Sequence, residues 1–248
     1  MNAIYILWLR QLKRYFRSKS RVLGSLGQPL LFLITFGFGF GSTFQKAGEG
    51  NYLQFLAPGI IAMSVLFSAI FFGIEVIFDK QFGFLKETLV APVSRVSIMV
   101  GRTLGGATVA TLQGVVVLLI SYAFGFRMQN IYLLPLALLF MFLMALLFTG
   151  LGTAIASKMD DMHGFQLIMN FLVMPLFFLS GSLFPIQGLP PALKIVTSLN
   201  PLTYGIDGLR GSLIGISQLS FYFDLLIVGL LTTIVLVIGS YLFSRIQL

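Results

Sequence analysis

The 248-residue chain is 57% hydrophobic and 10% charged, with 26 Phe and no Cys, and its mean hydropathy is +0.97. This composition excludes a water-soluble domain, whose helices would each need a polar face, and the lack of cysteine excludes a disulfide framework or thiolate metal site. The formal net charge of +8 would suit nucleic acid, but six of the sixteen Lys and Arg lie before residue 22, where a cytoplasmic membrane flank carries them.

The segment 1–22 opens with an amphipathic helix over 3–17. At 100° per residue Ile4, Trp8, Leu12, Tyr15 and Phe16 fall on one side, and Arg10, Lys13, Arg14 and Arg17 gather on the other. Such a helix lies in the membrane interface, with Trp and Tyr at headgroup depth. Two readings stand: an anchor that sets topology, or a helix that also shapes a cytoplasmic opening for a partner or substrate. The cationic part is longer than a signal's and no small-residue cleavage site follows, so the segment is expected to stay on the protein.

Six apolar runs follow, at 23–44, 55–78, 98–126, 131–156, 165–184 and 221–243. Runs near or above about 18 residues read as bilayer-spanning helices, and in lipid every backbone polar group must be paired internally. The expectation is an all-α membrane protein, one permease domain over 1–248. A membrane barrel would instead alternate in short segments.

In the first run Gln28-Pro29 predicts an elbow below the span, because Pro removes a helix hydrogen bond outside the first turn. Gly37, Gly39 and Gly41 allow close helix approach. An outer loop, 45–54, leads to the second span, with Pro58 and Gly59 in its first turn. That span holds Glu75, the one acid well inside an apolar run. An ionisable residue there is a functional candidate. It is read as a structural pair with Arg102 or as part of a transport pathway.

The longest cytoplasmic break is 79–97, DKQFGFLKETLVAPVSRVS. Phe78, Phe82, Leu85 and Leu89 recur at helical spacing, Lys80, Lys86 and Glu87 supply polar contacts, and Ala91-Pro92 ends the helix. A short amphipathic helix held between two spans suits docking of a soluble partner; the alternative is a helix lying on lipid. The third span opens with Gly101, Gly105 and Gly106, a packing pattern. No strand precedes it, so it is not a dinucleotide fingerprint. The loop 157–164 holds Asp160, Asp161 and the sole His163, too few converging ligands for a metal. Over 185–220, Pro and Gly interrupt an apolar stretch and leave helices at 192–199 and 203–213 that are too short to span. Irregular backbone at membrane depth is tolerated only inside protein or beside a wet cavity, so a re-entrant hairpin in the outer leaflet is expected.

Charge sets the orientation. With the start of the chain inside, twelve cations fall on the cytoplasmic side, and Lys46, Arg127, Lys194 and Arg210 fall outside. The positive-inside bias then places both termini in the cytoplasm.

Several stretches carry a likeness beyond these patterns: GQP at 27–29 after the amphipathic start, YLQFLAPG at 52–59, KETLVAPVSR at 86–95, FLSGSLFP at 178–185 and LNPLTY at 199–204. In this order, on six spans, the chain resembles a permease of the type-2 ATP-binding cassette exporters, nearest to those that export drugs, lipids or polysaccharides. The resemblance covers nearly all of it. It implies a half-transporter in the cell membrane. A second copy, or a paralogous permease, completes the membrane part. Two separate ATPase subunits bind ATP and Mg beneath it. It also implies that the amino-terminal helix and the loop after the second span contact the ATPase. Residues 79–92, with Phe82, Leu85, Lys86, Glu87, Leu89 and Pro92, become the coupling helix. The residues agree on one point: no GxxxxGK[ST] occurs, so this chain cannot cradle ATP phosphates itself. No cofactor, metal or nucleic acid is expected on it, and membrane lipid is its surrounding partner.

Two other classes fit the residues less well. An ion-coupled secondary transporter or channel would place several ionisable groups near the midplane, where only Glu75 qualifies. A membrane enzyme would need a positioned acid, base, nucleophile or metal.

Overall fold

Long runs without polar faces form long helices. The computed structural model describes residues 3–39, 51–188 and 190–246. These contain no strand. Helix α1 (Ala3–Arg17) is followed after one residue by α2 (Lys19–Gly39). The second predicted span is α3 (Tyr52–Phe71) continued by α4 (Ile74–Gln81), and α5 (Phe84–Val90) completes a short hairpin. Then come α6 (Arg95–Ala123), α7 (Leu134–Ala156), α8 (Met162–Phe178), α9 (Pro191–Leu199), α10 (Pro201–Ile214) and α11 (Phe221–Ser244).

Four helix starts are capped by side chains. Asn51, Ser94, Asp161 and Asn200 accept hydrogen bonds from the first-turn amides of α3, α6, α8 and α10, which satisfies donors that a helix leaves open. The second span breaks at Phe72 and Gly73. Gly73 abuts Gly152 of α7, and Gly152 abuts the backbone at Ile70. A Cβ at either glycine would collide with backbone, so the break sits where two helices meet without side chains between them.

Helix α3 is central. In the span Tyr52–Gln81, 72% of the most apolar stretch is buried, against 11% for Val22–Gly39 and 17% for Phe221–Ser244. Around α3 stand α6, α7, α2 and α10, while most of α2 and α11 faces outward. The glycines of α6 work as packing positions: Gly101 and Gly105 receive Ile4, Leu7 and Gln11 of α1, and Gly106 receives Phe72 and Thr149.

Five helices among the described residues are long and apolar enough to cross a membrane, against the six expected. The run 165–184 is α8, a helix of 17 residues. At 1.5 Å per residue it reaches about 26 Å, short of the roughly 30 Å hydrocarbon core. It stops because the chain turns at Ser180–Ser182, where Gly181 has φ of 74°. The end of the first expected span, with Gly41, and Lys46 and most of the outer loop lie outside the described residues. The interrupted stretch after Pro185 holds α9 and α10, both too short to span. Helix α10 is buried against α3, α7 and α11, whereas α9 is mostly exposed.

Candidate functional site

At one rim of the bundle, five side chains from three elements form a charged knot. Arg102 of α6 is 2% exposed, as is Asp79 of α4, and the two form a salt bridge. Arg102 also donates to the backbone carbonyl of Glu75 at 3.2 Å. Arg10 and Arg14 of α1 reach Asp79 at 3.4 and 3.5 Å, and Arg14 lies 3.6 Å from the Glu75 carboxylate. The expected Glu75–Arg102 pair is thus redistributed. The partner in the ion pair is Asp79, one turn further along, and Glu75 meets Arg102 through its carbonyl. Counting Asp79 as a loop residue hid it.

The cationic side of α1 is divided. Arg10 and Arg14 turn to protein acids, while Lys13 and Arg17 are exposed. On the other side Trp8 donates to the Thr108 hydroxyl at 3.0 Å and Tyr15 is buried, but Phe16 is 60% exposed. Gln11, unremarked in the sequence, is buried against Gly105. Helix α1 is therefore fastened to α6 and α4 along most of its length.

The hairpin α4–α5 differs from the expected single apolar edge. Gly83, at φ 79°, separates the helices, a backbone state suited to Gly. This turn points Leu85 into the core, fully buried, and packs Leu89 partly against it. Phe82, Phe84 and Val90 face out at 63, 51 and 86% exposure. Phe78 stacks on Phe82, ring centroids 5.4 Å apart. Lys86, Glu87 and Pro92 are also exposed. Leu85 is corrected from the outer to the inner edge, and Phe84 takes its place.

Beside the knot lies a cavity of about 490 Å³ between α1, α2, α3, α4, α6 and α8. One part of its wall is Phe67, Phe71 and Phe72; another is Gln28, Gln113, Gln166 and Asn170, with Glu75 at the edge. Gln113 donates to the Ser25 carbonyl at 3.0 Å, and its own carbonyl oxygen is buried with no hydrogen-bond partner among the described residues. In the sequence Gln28 belongs to the expected elbow and to the GQP stretch, and the other amides stand in no motif. Their signal was present: Gln166 and Asn170 sit one turn apart in an apolar run, and polar side chains there seek a partner or a cargo.

At the opposite rim Arg210, expected as a flanking cation, is 3% exposed. It donates to the carbonyls of Phe55 and Gly181 and stands 4.0 Å over the Phe55 ring. Asp207 accepts from Ser217 and from the amides of Gln218 and Leu219, which ties the loop before α11 to α10. Asp224, beside it, is fully buried. Periodicity does not separate these acids from ordinary flanks. In the loop 157–164, Asp161 caps α8 and Asp160 pairs with Lys80 at 2.8 Å.

The family model described as ABC-2 type transporter matches residues 2–214, all but α11. The chain is similar to a transport permease designated ycf38 from Cyanophora paradoxa, 30% identical over 85% of this chain and 73% of that protein. It is similar to the inner membrane transport permease YadH of Escherichia coli K12, 30% identical over 87% of this chain and 84% of that protein. Nodulation protein J of Rhizobium leguminosarum bv. viciae is 28% identical over 78% of the chain and 75% of its own length.

Proposed function

The chain belongs to the ABC-2 type transporter family, as a membrane permease component, and we propose that it works in an ATP-driven exporter. The cargo is amphiphilic, of the lipid, drug or polysaccharide class, and leaves from the cytoplasm or the inner leaflet. The chain crosses the plasma membrane six times, α8 included, with both termini inside. Two copies, or one copy and a paralogue, pair over two ATPase subunits that hold ATP and Mg.

The observation that carries this reading is the hairpin α4–α5. It presents Phe82, Phe84 and Val90 outward, while its base is fixed to α1 and α6 through Asp79. A push on its tip is conveyed to both helices as a rigid-body displacement. The cavity with an aromatic wall and an amide wall adjoins that base, and it suits a cargo with an apolar body and a hydrogen-bonding head.

The test is to co-express the chain with ATPase subunits of the same transporter class and purify the complex into liposomes. The expected result is cargo movement that needs ATP hydrolysis and stops when the ATPase is left out. Movement that follows a proton gradient with no ATPase present would instead establish an ion-coupled secondary transporter.

A further inference from the structure

A second cavity, of about 550 Å³, lies at the same rim as the charged knot but on the outer flank of the bundle. It is framed by the ends of α7 and α11, with Lys80, Lys158, Tyr241 and Arg245 in its wall. Helix C-termini present carbonyls and repel anions, yet here those carbonyls are occupied. Lys80 donates to the carbonyls of Ser157 and Met159 and to Asp160, and Arg95 donates to those of Ser244 and Ile246 at 2.7 and 2.8 Å. Lys158 and Arg245 are left over. Both are exposed, and neither has an acidic partner among the described residues; Arg245 rests over the Tyr241 ring at 5.2 Å.

Above the cavity, α11 carries an apolar stripe that none of the described residues covers. Leu226, Leu230, Ile234, Val237, Ile238 and Tyr241 are each 42–65% exposed. From 226 to 241 the stripe runs about 22 Å, more than one leaflet of a roughly 30 Å core. It ends on Tyr241, the residue type that sits at headgroup depth.

We propose that this cavity and stripe form a binding site for one anionic phospholipid, its phosphate ester held by Lys158 and Arg245 and its acyl chain lying along α11. The chemistry recognised is a phosphate ester; the stripe commits the source to lipid rather than to free phosphate. The site rests on the proposed orientation only in taking this rim as the cytoplasmic one.

The full chain would be reconstituted in nanodiscs of phosphatidylcholine with a trace of photoactivatable phosphatidylglycerol. Crosslinks should fall on peptides covering 157–159 and 237–246. The double variant Lys158→Gln/Arg245→Gln should lower their yield about tenfold to thirtyfold, as the loss of two membrane-facing cations implies. Lys158→Arg/Arg245→Lys should keep it, and Lys194→Gln, at the opposite rim, should leave it unchanged. Crosslinking spread evenly over the lipid-facing helices in the unaltered chain would overturn the site even if the double variant failed to fold. Displacement of the lipid by millimolar inorganic phosphate would overturn the lipid assignment, because a headgroup anchored by its chain is not displaced so. Neither readout uses ATP or measures transport, so failure here leaves the exporter reading untouched.

Discussion

Asp79 carries more than its share of the charged knot. It is 2% exposed and receives Arg102, Arg10 and Arg14. Removing one member of a buried ion pair leaves the other charge without compensation, a loss of about 3–5 kcal/mol. Asp79→Ala should therefore destabilise the chain strongly, read as an earlier loss of helical signal on heating in detergent. Replacing both partners, as Asp79→Leu with Arg102→Met, should recover most of that loss, because an apolar pair of similar volume avoids the desolvation penalty. If the double variant melts as early as the single one, the pair does not behave as a unit. Glu75, which the sequence singles out, is expected to matter less. Its carboxylate pairs with Arg14, whose side chain is 33% exposed, and a partner that solvent reaches contributes less than a buried one.

Among the elements, the hairpin α4–α5 gives the sharpest test. Phe82 and Phe84 are exposed and aromatic, the character of interface anchors, while Leu85 faces the core. Truncating Phe82 and Phe84 to Ala should weaken ATPase docking by about 1–3 kcal/mol and leave the fold intact. Leu85→Ala should do the reverse, destabilising by about 2–5 kcal/mol through a core cavity. Co-purification and thermal unfolding of the same variants separate the two. Full docking after both Phe are removed would make the hairpin a lipid-facing connector. The same element shows what was legible in the sequence. The helix-forming run and its stop at Pro92 were readable because propensity and breaker residues act locally. The inward turn of Leu85 was not, because it depends on Gly83 adopting a positive φ, which re-aims every following side chain. The packing role of Gly101 and Gly105 was legible from spacing. The cavity amides were not, since a polar residue in a span shows its neighbours only after the helices have met.

At the scale of the whole molecule, the rim that holds the charged knot is tied together by contacts that length and hydropathy do not contain. Arg10 joins α1 to α4, Lys80 joins α4 to the end of α7, and Arg95 joins the start of α6 to the end of α11. Four separate stretches of chain thus share one side, the side to which charge counting assigned twelve of the sixteen cations. Burial removes one cation from each side of that count. Arg210 lies inside the protein, with its guanidinium on carbonyls and an aromatic face, and Arg102 is equally buried, so the positive-inside excess stands unchanged. Orientation can be read directly because the chain has no native cysteine. Tyr132 lies at the opposite rim and is 89% exposed; Lys86 is exposed on the hairpin. In intact cells, Tyr132→Cys should react with a membrane-impermeant thiol reagent and Lys86→Cys should react only after the membrane is opened. The opposite pattern would invert the molecule. The hairpin and the phosphate site would then face outward, no cytoplasmic ATPase could reach Phe82, and the coupling proposal would fail with the topology.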